Sequence, residues 1–331
     1  MAQTSNIRYQ WVDTCKTIGL LLVIIGHGRL LEEEYQQWIF SFHMPLFFVL
    51  SGMLYKYKSP LETIKHDFKR FLIPYLIINM ICLVIQGCIM AYLGQLTITN
   101  FIHRFIAIFV VACHSGDFNP VSAPTWFIIA LFIDRIMLSL NKNGLYYICM
   151  FILSIIGCVL LKMIKFDIWI PFDSAMMAFP FLVIGYYSKT ILYRHFDSLF
   201  SVLFIILSVS CLTLFNYLNG PVDMNSNSYG KYILLFYFDG ILGTLLVIVI
   251  TKKLPKMAID GFCSMISKGA LLIVGFNLLF VMLLQNIIER VTPNHDIPVV
   301  LGILAGIVIL LAFYFITKLC HRYFPVILGT S

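Results

Sequence analysis

Apolar runs of about twenty residues recur along the whole chain, and this feature limits its possible folds more than any other. A helix of that length matches the hydrocarbon thickness of a bilayer. Within lipid, a helix satisfies all of its backbone polar groups inside one segment. Of the 331 residues, 60% are hydrophobic and 12% are charged, whereas a soluble domain is about 25% charged. The sequence therefore predicts an integral membrane protein built of helices.

The apolar runs divide into ten predicted spans. They lie near residues 14–31, 36–55, 71–93, 124–140, 145–163, 170–188, 199–218, 231–250, 269–288 and 297–317. A further stretch, residues 98–114, contains His103 and Arg104, so a re-entrant or surface-lying helix is favoured over a span. Alternating ten-residue segments, which are typical of membrane barrels, are absent. We expect an all-α polytopic membrane helix bundle of about ten transmembrane helices, forming a single domain over 1–331 with no appended soluble domain.

The distribution of basic residues predicts the orientation of this bundle. Of the 23 Lys and Arg residues, fifteen fall in segments that are cytoplasmic if the N-terminus is inside. Six fall in outer segments, and the remaining two, Lys16 and Arg135, lie within spans. An excess of basic residues marks the cytoplasmic side, so both termini are predicted to be cytoplasmic. Because the basic residues are scattered, we expect no nucleic-acid partner. No metal-ligand spacing occurs among the nine cysteines, so no metal is expected.

One face of the first span carries three ionisable residues. Eleven residues separate Lys16 from His27, which is three helical turns plus about 20° and about 16 Å along the axis. Asp13 lies three residues before Lys16 and points nearly the same way, where it can pair with it. Lys16 also fits a snorkelling anchor, and a histidine near a helix end also fits a packing role. Ionisable residues within spans are costly, however, and usually functional.

A second histidine begins the next predicted span. His43 opens the segment HMPLFFVLSG and follows a short loop, so spans one and two are antiparallel neighbours. His27 and His43 should therefore both lie in the outer half of the bundle and can face each other. Pro45 is expected to distort the helix beside them. Ser51 and Gly52 are expected to permit close helix packing.

These segments resemble the acyltransferase 3 family of integral membrane O-acyltransferases, and most closely its fucose 4-O-acetylase-like branch. The resemblance rests on DTCK followed by GH in span one, FHMPLFFVLSGMLY in span two and KRFLIPYL at span three. It continues through PTWFIIALF, AFPFLVIGYY and the terminal FPVILG. The family's basic residue and histidine correspond to Lys16 and His27, although many members have arginine at the first position. Its second histidine corresponds to His43, and its basic pair to Lys69 and Arg70.

The resemblance implies a donor, an acceptor and a location. The donor is acetyl-CoA from the cytoplasm, and the acceptor is a hydroxyl of an envelope polysaccharide or lipid-linked sugar. The implied location is a bacterial-type inner membrane. Lys16, Lys69 and Arg70 would hold the donor phosphates. His27 would be the general base, and His43 would orient the acceptor or stabilise the oxyanion. Direct transfer and an acyl-histidine intermediate are both possible.

Three further residues are candidates with alternative roles. Arg135 fits a structural ion pair or interfacial anchor, or a contact to a donor phosphate. Trp126 fits an interfacial belt or a surface for stacking a sugar. Asp239 lies inside span eight, where a carboxylate is costly, and would bind the acceptor or pair with a basic residue.

A second function class stays open at this point. A proton-coupled transporter or flippase of a glycan or small metabolite also fits ten spans with buried ionisable groups. The broken, Gly/Pro-interrupted helix pairs typical of such transporters are not visible in the sequence. The acceptor sugar, the acyl length and the oligomeric state are not determined by the sequence.

Overall fold

The structure, a computed structural model, describes residues 10–28, 30–110, 121–164, 170–194, 202–254, 259–291 and 298–329. These residues are almost entirely helical. The helices are α1 (Gln10–Gly26), α2 (Glu33–Phe40), α3 (His43–Leu54), α4 (Pro60–Asp67), α5 (Ile73–Tyr92), α6 (Ile98–Val110), α7 (Trp126–Leu140), α8 (Gly144–Ile164), α9 (Phe172–Arg194), α10 (Val202–Asn219), α11 (Ile233–Lys253), α12 (Asp260–Lys268), α13 (Ala270–Val291) and α14 (Val299–Tyr323). Strands β1 (Val222–Asp223) and β2 (Ser228–Tyr229) form one short antiparallel hairpin.

The predicted polytopic helical bundle is confirmed. Within the described ranges, eight helical segments are long and apolar enough to cross a membrane. The other two predicted spans, near 14–31 and 145–163, coincide with α1 and α8. The described part of the ambiguous stretch forms helix α6, Ile98–Val110, so the choice between a span and a re-entrant or surface-lying helix stays a prediction. Residues 111–114 of that stretch lie outside the described part of the chain.

The second predicted span is not one continuous helix. It consists of α2 and α3, which are separated at Ser41 and Phe42, and α3 begins at His43. The break includes Ser41, four residues before Pro45, whose carbonyl would accept the N–H that proline lacks. The position of the break therefore agrees with the prediction that Pro45 distorts the helix beside it.

The third predicted span begins earlier than its apolar run. Ser59 and Glu62 form a reciprocal capping box at the start of α4, with Pro60 in the first turn. The chain then continues through a π-helical segment, Phe68–Leu72, into α5. Pro74 has no N–H to donate to the carbonyl of Arg70, four residues before it, which accounts for the widened turn. Lys69 and Arg70 lie in this widened turn.

Close helix packing centres on α3 and α9. A Cβ added to Gly52 would lie 2.0 Å from the carbonyl oxygen of Leu182. A Cβ added to Gly185 would lie 2.0 Å from the carbonyl oxygen of Val49. Only glycine permits this approach of two backbones, so the packing role predicted for Gly52 is confirmed. Helix α1 is central in the bundle and packs against α3, α11, α12, α13 and α14.

Candidate active site

Both histidines of the first two spans line one cavity, which we call the histidine cavity. Its volume is about 200 Å³. The lining residues are Val23, His27, Phe40, His43, Met44, Phe47, Ala123, Pro124, Trp126, Phe127, Asp223, Met224, Asn225 and Val274. The two imidazole rings are nearly perpendicular, with centroids 6.4 Å apart. Two spans joined by a short loop therefore bring the histidines together at one depth.

The two histidines are held differently. His27 directly follows the last residue of α1, and Gly28, with φ +71°, turns the chain away from the helix. The ring of His43 is almost completely buried, and its Nδ1 donates a hydrogen bond of 2.9 Å to the carbonyl oxygen of Ile39. A carbonyl only accepts, so Nδ1 carries the proton and Nε2 of the neutral ring is an acceptor. Neutral His43 thus has no second N–H to offer an oxyanion.

The β-hairpin contributes a second polar group to the histidine cavity. Asp223 and Asn225 both line it, together with His27 and His43. The carboxylate of Asp223 also accepts hydrogen bonds from the backbone N–H of Asn225, at 3.0 Å, and from the hydroxyl of Ser226. These bonds fix the direction of the carboxylate within the turn.

The hairpin is fastened to the helices around it. Ser174, at the start of α9, donates a 2.8 Å hydrogen bond to the carbonyl of Met224. The fully buried side chain of Asn219, at the end of α10, donates to the carbonyl of Tyr229 and accepts from the N–H of Tyr232. The hairpin is therefore a fixed wall of the cavity and contributes the polar side chains of Asp223 and Asn225 to its lining.

Trp126 lies in this same cavity and not at the surface. Its side chain is 6% exposed, and its ring packs edge-on against Phe127, with centroids 6.4 Å apart. An interfacial anchor presents its ring to lipid headgroups, so the belt interpretation of Trp126 is wrong. Its position fits the alternative, a flat surface beside the histidines.

The basic residues implicated by the sequence line a second, larger cavity, which we call the basic cavity. Its volume is about 550 Å³. Its charged lining residues are Asp13, Lys16, Lys69, Arg70, Arg135 and Lys268, and His66 lies beside them. Five permanent cations thus face one space together with one carboxylate. Such a surface attracts polyanions, and phosphate groups in particular.

Arg135 has a fixed partner that the sequence analysis missed. Its guanidinium donates to both carboxylate oxygens of Asp67, at 2.7 and 3.3 Å, and Asp67 is completely buried. Asp67 is also 2.7 Å from Nδ1 of His66. The guanidinium carbon lies 4.9 Å from the ring centre of Tyr55. Arg135 therefore makes the structural ion pair that was one of its two interpretations, while its side chain also borders the basic cavity.

The structure does not place Asp239 with the other candidates. Asp239 is fully buried within α11 and lines neither the histidine cavity nor the basic cavity. Within the described residues its carboxylate oxygens have no hydrogen-bond partner. Asp134, next to Arg135 in the sequence, is buried in the same way. The basic partner expected for Asp239 is not present among the described residues, and its contact to the acceptor stays a prediction.

The sequence did not predict three lining residues of these cavities, Asp223, Asn225 and Lys268, nor Asp67, the buried partner of Arg135. Asp67 had a detectable signal, because it is an acidic residue two positions before a basic pair. Asp223 and Asn225 lie in a polar loop that carries no motif, and only the path of the hairpin brings them to the histidines. In the part of the chain that the structure describes, no group of three His, Cys, Asp or Glu residues is arranged to hold a metal ion.

Comparison with known proteins gives one match. A family model described as an acyltransferase domain, that of the acyltransferase 3 family, matches residues 9–319. No curated protein and no solved structure matches the chain. The matched range contains every residue of the histidine cavity and all charged residues of the basic cavity.

Proposed function

The chain belongs to the acyltransferase 3 family and is a membrane acyltransferase, and from this premise we propose that it is an O-acetyltransferase. It moves an acetyl group from cytoplasmic acetyl-CoA to a hydroxyl of an envelope polysaccharide or lipid-linked sugar. It acts in a bacterial-type inner membrane, and its relatives are those of the fucose 4-O-acetylase-like branch. One observation carries the proposal: α1 presents Lys16 to the basic cavity and His27 to the histidine cavity.

The basic cavity is the proposed site for the nucleotide end of the donor. Coenzyme A carries several phosphate charges, and cations reach the cavity from two elements, Lys16 from α1 and Lys69 with Arg70 from the π-helical segment. Lys69 and Arg70 are both solvent-exposed, as a docking site for a soluble nucleotide requires. The arm of the donor would then extend about 16 Å along α1, the rise between Lys16 and His27.

The histidine cavity is the proposed site of the chemistry. His27 takes the proton of the acceptor hydroxyl as its oxygen attacks the thioester carbonyl. A carbon–oxygen bond forms, the carbon–sulfur bond breaks, and the proton passes to the leaving sulfur. The carboxylate of Asp223 stabilises the imidazolium form of His27 during this step. His43, with Nε2 as an acceptor, orients the hydroxyl instead of stabilising the oxyanion.

The acceptor side is formed by Trp126, Asp223 and Asn225. A carboxylate and an amide hydrogen-bond the hydroxyls of a sugar, and an indole covers its apolar face. These groups come from α7 and from the hairpin, and none of the three lines the basic cavity. This arrangement supports a hydroxyl-bearing acceptor that binds apart from the cations.

The test is transfer from radiolabelled acetyl-CoA to native envelope extract, in membranes that contain the wild type, His27→Ala, His43→Ala or His103→Ala. Loss of a general base lowers the rate by about 10²–10⁴-fold, so we expect a loss of this size for His27→Ala. His43→Ala should lower transfer less, through a raised KM for the acceptor. His103 lies on α6 outside both cavities, and His103→Ala should retain wild-type activity.

A measurement of acetyl-CoA binding distinguishes residues that hold the donor from residues that take part in the chemical step. His27→Ala should bind acetyl-CoA with wild-type affinity, whereas Arg70→Ala should bind it about tenfold or more weakly, as expected for loss of a charge-assisted contact. A wild type that neither binds acetyl-CoA nor releases coenzyme A from it would overturn the proposal and favour the transporter hypothesis.

A further inference from the structure

Two phenylalanines belong to both cavities. Phe47 and Phe127 line the histidine cavity and also line the basic cavity. Their ring centroids are 5.8 Å apart, and the side chains are 9% and 5% exposed. The pair is therefore the boundary between the two spaces.

Helices α3 and α7 each contribute residues to the lining of both cavities. On α3, residues at helical spacing line first one cavity and then the other: His43, then Phe47, then Ser51 and Leu54. Residues four apart lie on the same face of a helix. One continuous face of α3 therefore lines both the histidine cavity and the basic cavity.

The same continuity is present on α7 and α1. Phe127 borders both cavities, and Arg135, eight residues later, lines the basic cavity. On α1, Lys16 lines the basic cavity, while Val23 lines the histidine cavity. The two cavities are thus stacked along the bundle, and the two phenylalanine rings lie between them.

The two rings have different neighbours. Phe127 packs against Phe48, with ring centroids 5.1 Å apart, as well as against Trp126. Phe47 lies against Gly19 of α1, where an added Cβ would be 2.8 Å from its ring atom Cζ. A side chain at position 19 would collide with this ring, so Gly19 makes the space that the Phe47 ring occupies between α1 and α3.

We propose that the Phe47–Phe127 pair is the passage by which the acyl end of the donor enters the histidine cavity, and that Phe47 limits the acyl chain to a short one. This inference rests on the proposed function. A cavity of about 200 Å³ must hold the acyl group and the attacking hydroxyl together. With the donor arm filling the passage, the two rings around it also separate the thioester from the water of the open basic cavity. Water attack would form a carbon–oxygen bond and break the carbon–sulfur bond, releasing the free acid and coenzyme A.

The experiment compares the wild type with Phe47→Ala, Phe47→Leu and Phe48→Ala. Phe48 is the matched control, because it is completely buried and also packs on Phe127 but lines neither cavity. Coenzyme A release is measured with acetyl-, butyryl- and hexanoyl-CoA, with and without native envelope extract.

One methylene group at a selective apolar site changes the relative rate of two substrates by about 10–200-fold. We expect Phe47→Ala to raise the butyryl-to-acetyl transfer ratio about tenfold or more and to raise release without acceptor. Phe47→Leu should show smaller changes of the same sign, and Phe48→Ala, which keeps the Phe47 side chain, should leave the butyryl-to-acetyl transfer ratio within about twofold.

A second measurement does not require transfer activity. Val23→Cys introduces a thiol into the histidine cavity, and coenzyme A disulfide is the probe. The thiolate attacks one sulfur of the probe, a mixed disulfide forms, and coenzyme A thiol leaves; mass spectrometry locates the modified residue. We expect the reaction to be about tenfold or more faster when Phe47→Ala is combined with Val23→Cys than with Val23→Cys alone.

The outcomes separate the two proposals. Equal labelling rates would overturn the passage, whether or not the wild type transfers acetyl groups. Equal acyl preference in the wild type and Phe47→Ala, or an equal change in Phe48→Ala, would also overturn it. Faster labelling in a protein that transfers no acyl group would support the passage and contradict the proposed function.

Discussion

At the scale of single residues, Asp67 is the partner that allows the basic side chain of Arg135 to be buried between helices. It is completely buried and holds Arg135 through two hydrogen bonds, with His66 on its other side. The pair joins α4 to α7 across 68 residues of sequence. It places the guanidinium at the border of the basic cavity and leaves the nearby cations Lys69 and Arg70 exposed.

Replacement of Asp67 by Ala should destabilise the protein strongly. It leaves the mostly buried guanidinium of Arg135 without its partner, and breaking a buried pair in this way costs about 3–5 kcal/mol. Thermal unfolding in detergent measures the effect. Glu62→Gln is the control on the same helix, because Glu62 is exposed, and it should shift stability by less than about 0.5 kcal/mol. An unchanged midpoint for Asp67→Ala would show that the ion pair is not needed for stability.

At the scale of elements, the break between α2 and α3 decides the geometry of the histidine cavity. Because α3 begins at His43, the ring lies at a helix start, where the carbonyl of Ile39 in α2 accepts its hydrogen bond. The position of α3 is in turn fixed by α9, through the glycine contacts of Gly52 and Gly185. Helix α9 therefore supports the site without lining either cavity.

Gly185→Ala should separate α3 from α9. The new Cβ would lie 2.0 Å from the carbonyl oxygen of Val49, so a backbone must move, and overpacking typically costs about 1–3 kcal/mol. Gly157→Ala on α8 is the matched control, because no described atom lies within 4 Å of its added Cβ. We expect a lower unfolding temperature and lower acetyl transfer for Gly185→Ala, and wild-type values for Gly157→Ala. Equal behaviour of the two variants would exclude α3–α9 packing as a support of the site.

At the scale of the whole molecule, the two cavities are predicted to be reached from opposite sides of the membrane. The basic cavity is bordered by α4 and the π-helical segment, and the basic-residue distribution predicts this end to be cytoplasmic. The hairpin at the histidine cavity belongs to a segment predicted to be outside. A soluble donor and an envelope acceptor would then approach one reaction site from two sides of the membrane.

This orientation is tested by labelling with a membrane-impermeant maleimide. Lys65 on α4 and Ser226 in the hairpin are both exposed. In intact spheroplasts we expect Ser226→Cys to be labelled and Lys65→Cys to be labelled only after permeabilisation, above the background of the wild-type cysteines. The reverse pattern would place the basic cavity outside and would be incompatible with a cytoplasmic donor.

The sequence alone was sufficient to predict a membrane protein, a helical bundle and the grouping of its main candidate site residues. Bilayer thickness fixes span length, and helical periodicity fixes which residues share a face, so Lys16 and His27 were predictable from one segment. His43 followed because a short loop makes two spans neighbours. The single-domain prediction and the donor and acceptor stay predictions.

Only the tertiary structure decided which distant residues complete the two cavities. It placed Asp223 in one cavity with His27, it brought Asp67 to Arg135 and Phe47 to Phe127, and it left Asp239 outside the lining of both cavities. These contacts join segments that are tens to hundreds of residues apart. Periodicity gives the face on which a side chain lies but not which helix covers that face, because the covering helix is selected by the shapes of many side chains packing together.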